Sequence, residues 1–324
     1  MTDNIGGGAD GVDIDGGGAG RAAATRKGVH DRLDAIGPVQ PSTFRPGRTL
    51  SLRVEAVRQL RRRRTQVAAL LLVVLPPVIA IAFSLSSDDP STAGSDGGGR
   101  QNSALYGLAT AGGANFALFT EFAAGSFLLT VLIALFCGDT VASDAGWASL
   151  RYLLVIPVRR SHLLRQKLFI GLASSAIALI LLPVWAYVVG GLFFGWGPAQ
   201  SPLGGVFTNG ETLQRLAIVV GYTLIQSLVI AGFAFLLSVV TDAPLGAVGG
   251  ATMLVILSNI LDAISALDPY RQFMPTHYQF AWLDALGPNV IWEDMARGAG
   301  ISLIYSSVLF GFAWWWFGRK DVVS

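Results

Sequence analysis

The sequence predicts an all-α integral membrane protein. It would be a bundle of six transmembrane helices with an N-terminal interfacial amphipathic helix, a cytoplasmic amphipathic helix between spans, and an outer re-entrant or interfacial helix pair before the last span. Three observations predict it. Hydrophobic residues make up 52% of the 324 and charged residues only 14%, against about 25% charged in an average soluble domain. The charges are clustered, which leaves several windows of 18 or more residues nearly free of them, and about 20 apolar residues span a hydrocarbon core. Residues 262–297, just before the last window, are dense in aromatic residues interleaved with polar ones, as segments at membrane–water interfaces are.

Residues 1–45 are rich in Gly and Asp and lack hydrophobic periodicity, the composition of a disordered cytoplasmic tail. The run GVDIDGGG resembles a calcium loop at Asp13, Asp15 and Gly16, but Gly11 and Ala22 stand where the first and last ligands belong. Residues 48–66, RTLSLRVEAVRQLRRRRTQ, place Leu50, Val54, Val57 and Leu60 on one stripe beside Arg53, Arg58 and the block 61–64. A basic amphipathic helix of this kind lies in the plane of an anionic membrane surface. Its place directly before a span favours lipid over nucleic acid as the partner of that block.

The spans are expected at about 67–85, 116–137, 168–194, 216–240, 245–261 and 298–317, so the membrane domain covers 46–324. Pro76 and Pro77 kink the first span. The turn TDAP forces the fifth to return beside the fourth. Six spans put both termini on one side, and the Lys and Arg count says which: thirteen on the side of 53–64, 151–167 and 319–320, four on the other. Both termini are therefore expected in the cytoplasm.

Residues 138–167 carry five of the 23 Lys and Arg residues between two apolar runs. Within them Trp147, Leu150, Leu153 and Leu154 fall at helical spacing, and Pro157 ends the helix because it has no N–H to give. Arg159, Arg160, Arg165 and Lys167 follow. The segment is an amphipathic helix over 143–156 tethered to the membrane at both ends. Trp147 and Leu150 either insert into a groove on a partner protein or anchor the loop in the lipid interface. On the outer side, residues 262–297 interleave Phe273, Tyr278, Phe280, Trp282, Leu286 and Trp292 with polar groups. That pattern predicts the re-entrant or interfacial pair.

Few side chains suggest chemistry. The one cysteine, Cys137, rules out a disulfide within the chain. His277 has no partner at metal-ligand spacing. No G-x-x-x-x-G-K-[ST] phosphate loop occurs, so ATP hydrolysis by that route belongs to another polypeptide. Glu121 is the carboxylate well inside a span, where ionisable groups are costly and tend to be functional. Being one turn from the outer end, it could also snorkel to water. Asn115, Gln226 and Asn259 either contact a transported molecule or hydrogen-bond between helices.

These features resemble bacterial ATP-binding-cassette exporter permeases of the second membrane class. The resemblance runs from about residue 49 to the C-terminus. It rests on VEAVRQLRRRRT with Glu55, on the loop pattern of Asp144, Gly146, Leu153, Leu154, Pro157, Arg160 and Lys167, and on RQFMPTHYQFAWLDAL before the last span. The family often has Glu-x-Gly-Thr where this chain has Asp144-Ala-Gly146-Trp147. The resemblance implies a permease that pairs with itself or a homologous permease in membrane lipid. A separate ATPase subunit would bind ATP and Mg, and a drug, lipid or peptide-like molecule would be exported. It makes the 143–156 helix a coupling helix. Asp144, Gly146, Trp147, Leu150, Arg151, Leu154, Pro157 and Arg160, with Glu55 and Arg58 of the interfacial helix, would meet the ATPase. Glu121, Asn115, Gln226 and Asn259 would border the translocation path. Two other classes remain open: a secondary transporter, which calls for broken mid-membrane helices and further buried charge, and a non-transporting membrane scaffold or sensor.

Overall fold

The computed structural model describes residues 52–86, 107–146, 160–201 and 205–319. The expected tail at 1–45 and most of the 143–156 helix lie outside them. Eight α-helices carry the fold: α1 (Leu52–Leu60), α2 (Arg63–Ser86), α3 (Gly113–Gly125), α4 (Leu128–Gly146), α5 (Arg160–Phe194), α6 (Asn209–Val240), α7 (Pro244–Asp262) and α8 (Glu293–Arg319). No strand is present among the described residues beyond an isolated bridge between Gln200 and Val206. Helices α2, α5, α6, α7 and α8 are each long and apolar enough to cross a membrane. Together α3 and α4 make a sixth candidate span, broken by a 61° bend.

Helix α6 is the hub, packed against α8, α4, α7 and α5. Its start is fixed by a capping box: the Thr208 hydroxyl accepts the Glu211 N–H, and the Glu211 carboxylate accepts the Thr208 N–H at 2.8 Å. Pro244 opens α7 at a position where its missing N–H costs nothing. The main core lies where α4, α5, α6 and α8 meet, around Leu164, Leu182, Phe235 and Val239. Small residues let backbones approach. A Cβ on Gly113 would stand 2.7 Å from the Gly191 nitrogen, so α3 and α5 touch through glycine. Outward-facing Val54, Leu70, Leu192, Leu245 and Val308 are all more than half exposed, as lipid-facing side chains of a membrane bundle are.

Four expectations are corrected. The basic amphipathic helix is not continuous over 48–66. It breaks at Arg61–Arg62, where Arg62 N–H closes a tight turn onto Gln59 at 3.2 Å. The break lets Arg62 and Arg64 converge on one acceptor rather than spread around a straight helix. The second span starts earlier, at Gly113, is interrupted at Ser126–Phe127, and its helix continues past Cys137 to Gly146. Thus the first part of residues 138–167 is the end of α4 rather than a separate loop. Finally, 262–292 is not a helix pair. It folds as three short 3-10 helices, Ser265–Leu267, Tyr270–Phe273 and Ala281–Leu286, set apart by Pro269, Pro275 and the Gly287–Pro288 pair.

Candidate functional site: a broken span and its charged end

Gly125 ends α3, so its carbonyl has no N–H four residues on to accept from within a continuous helix. The 3-10 segment supplies the donor: Gln279 Nε2 reaches Gly125 O at 3.0 Å, with Thr130 Oγ1 at 3.5 Å. Non-helical backbone inside a membrane bundle is tolerated where protein satisfies it in this way. The outer segment is anchored in turn by Arg215 of α6. Its Nη1 donates to the carbonyls of Ala285 and Gly287, the latter at 2.7 Å, and its Nη2 to Pro288 at 3.2 Å. The guanidinium lies over the Phe207 ring, 4.4 Å from its centre. Aromatic side chains complete the seal, with Tyr278 and Trp282 buried against α6.

The break opens a cavity of about 650 Å³, including its mouth, walled by α3, α4, α6, α7 and the outer segment. It is narrow, and only a few water-sized groups fit at once. Glu121 faces it, 2% exposed, and neither carboxylate oxygen has a hydrogen-bond partner among the described residues. The glutamate therefore does not snorkel to water. Gln279 Oε1 is likewise buried without a partner. The hydroxyls nearest to them, Thr223 among them, give their protons to backbone carbonyls. Thr223 donates to Val219 O at 2.9 Å and Ser227 to Leu224 O at 2.7 Å. Gln226 is bound by its amide nitrogen to the Tyr222 hydroxyl and the Tyr278 carbonyl, and accepts from Ser302.

The other expected path residues separate. Gln226 lines the cavity, yet its amide is fully engaged between α6, α8 and the outer segment. Asn115 does not reach it; its side chain exchanges hydrogen bonds with the Gln200 backbone at 2.9 and 2.8 Å. It pins the connection before α6 and so has a structural role. Asn259 is half-buried on α7 and away from the cavity wall. His277 pairs with Asp262 at 2.5 Å.

At the far end of α4 lies a second cluster. Asp139, 4% exposed, accepts from Arg62 Nη1 and Arg64 Nη1, both at 2.6 Å, and Arg62 also donates to Ser143 Oγ at 2.8 Å. Buried Lys167 of α5 donates to the Thr140 carbonyl at 2.8 Å and lies 3.8 Å from Glu55 Oε1. Arg58 lies 3.4 Å from the other oxygen of Glu55. Thus two ion-pair groups meet at this end of α4, Arg62 and Arg64 on Asp139 and Arg58 and Lys167 on Glu55; the Lys167 bond to the Thr140 carbonyl brings the second onto α4, and the arginine block is not simply lipid-facing. Of the expected coupling residues, Glu55 and Arg58 belong to the second group. Asp144 and Gly146 fall in the last turn of α4, and Arg160 is the first residue of α5. Trp147, Leu150, Arg151, Leu154 and Pro157 lie outside the described residues.

Sequence reasoning missed Asp139 and Gln279. Asp139 had a readable signal: an acid at the end of an apolar run whose flanking segments are rich in arginine. Gln279 had none, since its role depends on where α3 breaks.

Fold and site together define an all-α, multi-pass membrane protein with a bent α3–α4 helix pair and a buried carboxyl group that has no partner among the described residues. Residues 101–323 match the family described as "Protein of unknown function (DUF2705)", and the chain belongs to that family. A curated relative, "Uncharacterized protein YhcI" of Bacillus subtilis (strain 168), is 25% identical over 159 residues, 47% of this chain and 48% of that protein. The match therefore spans about half of the relative's length.

Proposed function

We propose that this chain is the transmembrane permease subunit of an ATP-driven exporter, lodged in a bacterial inner membrane with both termini cytoplasmic. It pairs with itself or a homologous permease, and ATP is bound and hydrolysed by a separate subunit. The observation that supports this reading best is the two ion-pair groups on Asp139 and Glu55. They tie α1 and α2 to α4 and α5 on either side of residues 147–159, the segment whose sequence suits a docking helix. The same α4 walls the cavity beside Glu121. A push on the docking segment therefore has a continuous path to the cavity, as an ATP-driven switch between two openings requires. The tail lies on the cytoplasmic side and has no assigned role.

The test is purification of the full chain from its native membrane in mild detergent. Co-purification of a nucleotide-hydrolysing subunit is expected, and Trp147→Arg should release it. Recovery of the intact chain without any ATPase, from membranes in which transport persists, overturns the reading.

The broken span beside a buried carboxylate also favours a second reading, an ion-coupled secondary transporter. That reading requires transport in proteoliposomes under an imposed ion gradient with no ATPase present. The exporter reading expects none.

A further inference from the structure

We propose that the cavity at the α3–α4 break binds a primary ammonium group carried on a slender apolar chain. Glu121 and the Gln279 amide oxygen would accept its N–H donors. This deepens the transport reading by naming a substrate class, and rests on that reading only for the claim that the bound amine is cargo.

The argument starts from orphaned acceptors. Three buried oxygens, both of Glu121 and Oε1 of Gln279, line one cavity without a donor. A buried unpaired acceptor is costly, and a buried unpaired charge more so. The neighbouring hydroxyls of Thr223 and Ser227 give their protons to carbonyls of their own helix. The Gln279 amide N–H is held by the Gly125 carbonyl. Among the described residues, no Lys, Arg or His lines the cavity. The site thus offers a carboxyl group with no internal cation beside it, and an ammonium group, whose charge favours the carboxylate form, brings three N–H donors to three unfilled oxygens.

The rest of the wall selects what the ammonium is attached to. Leu129, Ile133, Ile230 and Val255 are apolar, and Phe280 and Trp282 present aromatic rings, which favour cations. The small enclosed space suits a primary ammonium head better than a bulkier trimethylated one, with the apolar chain running out through the mouth. An anion would meet the Glu121 carboxylate and is excluded.

The experiment uses the full chain, purified in a neutral detergent, and follows its thermal unfolding. Hexylammonium is the probe, with 1-hexanol, hexyltrimethylammonium and hexyl sulfate as controls of equal chain length. Hexylammonium is expected to raise the unfolding midpoint in a saturable way and the three controls are not. Glu121→Gln should weaken the apparent affinity at least about ten-fold, the size of one charge-assisted hydrogen bond lost. Should that variant not fold, Gln279→Met, which keeps chain length and removes the amide oxygen, is expected to weaken binding several-fold. Equal stabilisation by hexanol, or binding unchanged in a folded variant, overturns the proposal, as does the absence of any hexylammonium effect. Because no ATPase is present, failure here leaves the coupling reading standing. Conversely, failure of an ATPase to co-purify leaves the amine site intact.

Discussion

The indole Nε1 of Trp185 on α5 donates to the backbone carbonyl of Val73 on α2 at 2.9 Å. Val73 lies four residues before Pro77, so this carbonyl is the one that Pro77, lacking an N–H, leaves unfilled. The proline pair is thus accommodated within one helix by a donor from its neighbour. Trp185→Phe should destabilise the protein by about 1 kcal/mol. In a Pro77→Ala background, where residue 77 regains its N–H, the same change should cost measurably less. A double-mutant cycle on denaturation in mixed micelles reads the difference.

Asp139→Ala removes the shared acceptor of Arg62 and Arg64. Breaking a buried ion pair costs roughly 3–5 kcal/mol. Arg64 is half-exposed, which lowers the expectation to about 2 kcal/mol. Unfolding measured by accessibility of the buried Cys137 thiol should report the loss. An unchanged exchange rate would mean that the network holds nothing.

Gly298 and Gly300 share helix α8 but face different surroundings. A Cβ at Gly298 would collide with the Tyr222 hydroxyl and Tyr278, and stand 2.8 Å from the Gln226 amide, whereas at Gly300 it meets nothing within 4 Å. Gly298→Ala should destabilise by about 1–3 kcal/mol through overpacking. Gly300→Ala should be neutral or stabilise by up to about 1 kcal/mol, because alanine is the better helix former. The pair is compared by thermal unfolding in one detergent.

Arg215 holds three carbonyls of the outer segment. Arg215→Met keeps the apolar stem and removes every donor. Limited proteolysis of the purified chain should then cut within 262–292 at least several-fold faster, while cleavage elsewhere stays unchanged.

The apolar spans could be read because membrane helices are selected by hydropathy, a property of each window taken alone. Five long apolar helices and the bent pair lie where those windows fall. The break at Ser126–Phe127 could not be read, since the flanking residues are apolar on both sides and a single glycine does not distinguish a bend from a straight helix. The same limit concealed the cavity. Glu121 was visible as an isolated charge, but whether its carboxylate reaches water depends on the path of 262–292, which in turn depends on Arg215 and Gln279. The two readings of Asn115 could not be told apart for a related reason. A polar amide in a span has one appearance in sequence whether it faces a cavity or a loop 85 residues away.

Between the bend and Asp139, α4 runs eleven residues without interruption, about 16 Å at the rise of an α-helix. One end is gripped through Gly125 and Gln279, the other through Asp139 and two arginines. A regular helix hardly compresses, so this segment has the form of a push-rod with the bend at the end away from Asp139. A displacement applied beside Asp139 would be carried along this helix to the bend, where the Gly125 carbonyl at the end of α3 is held by Gln279.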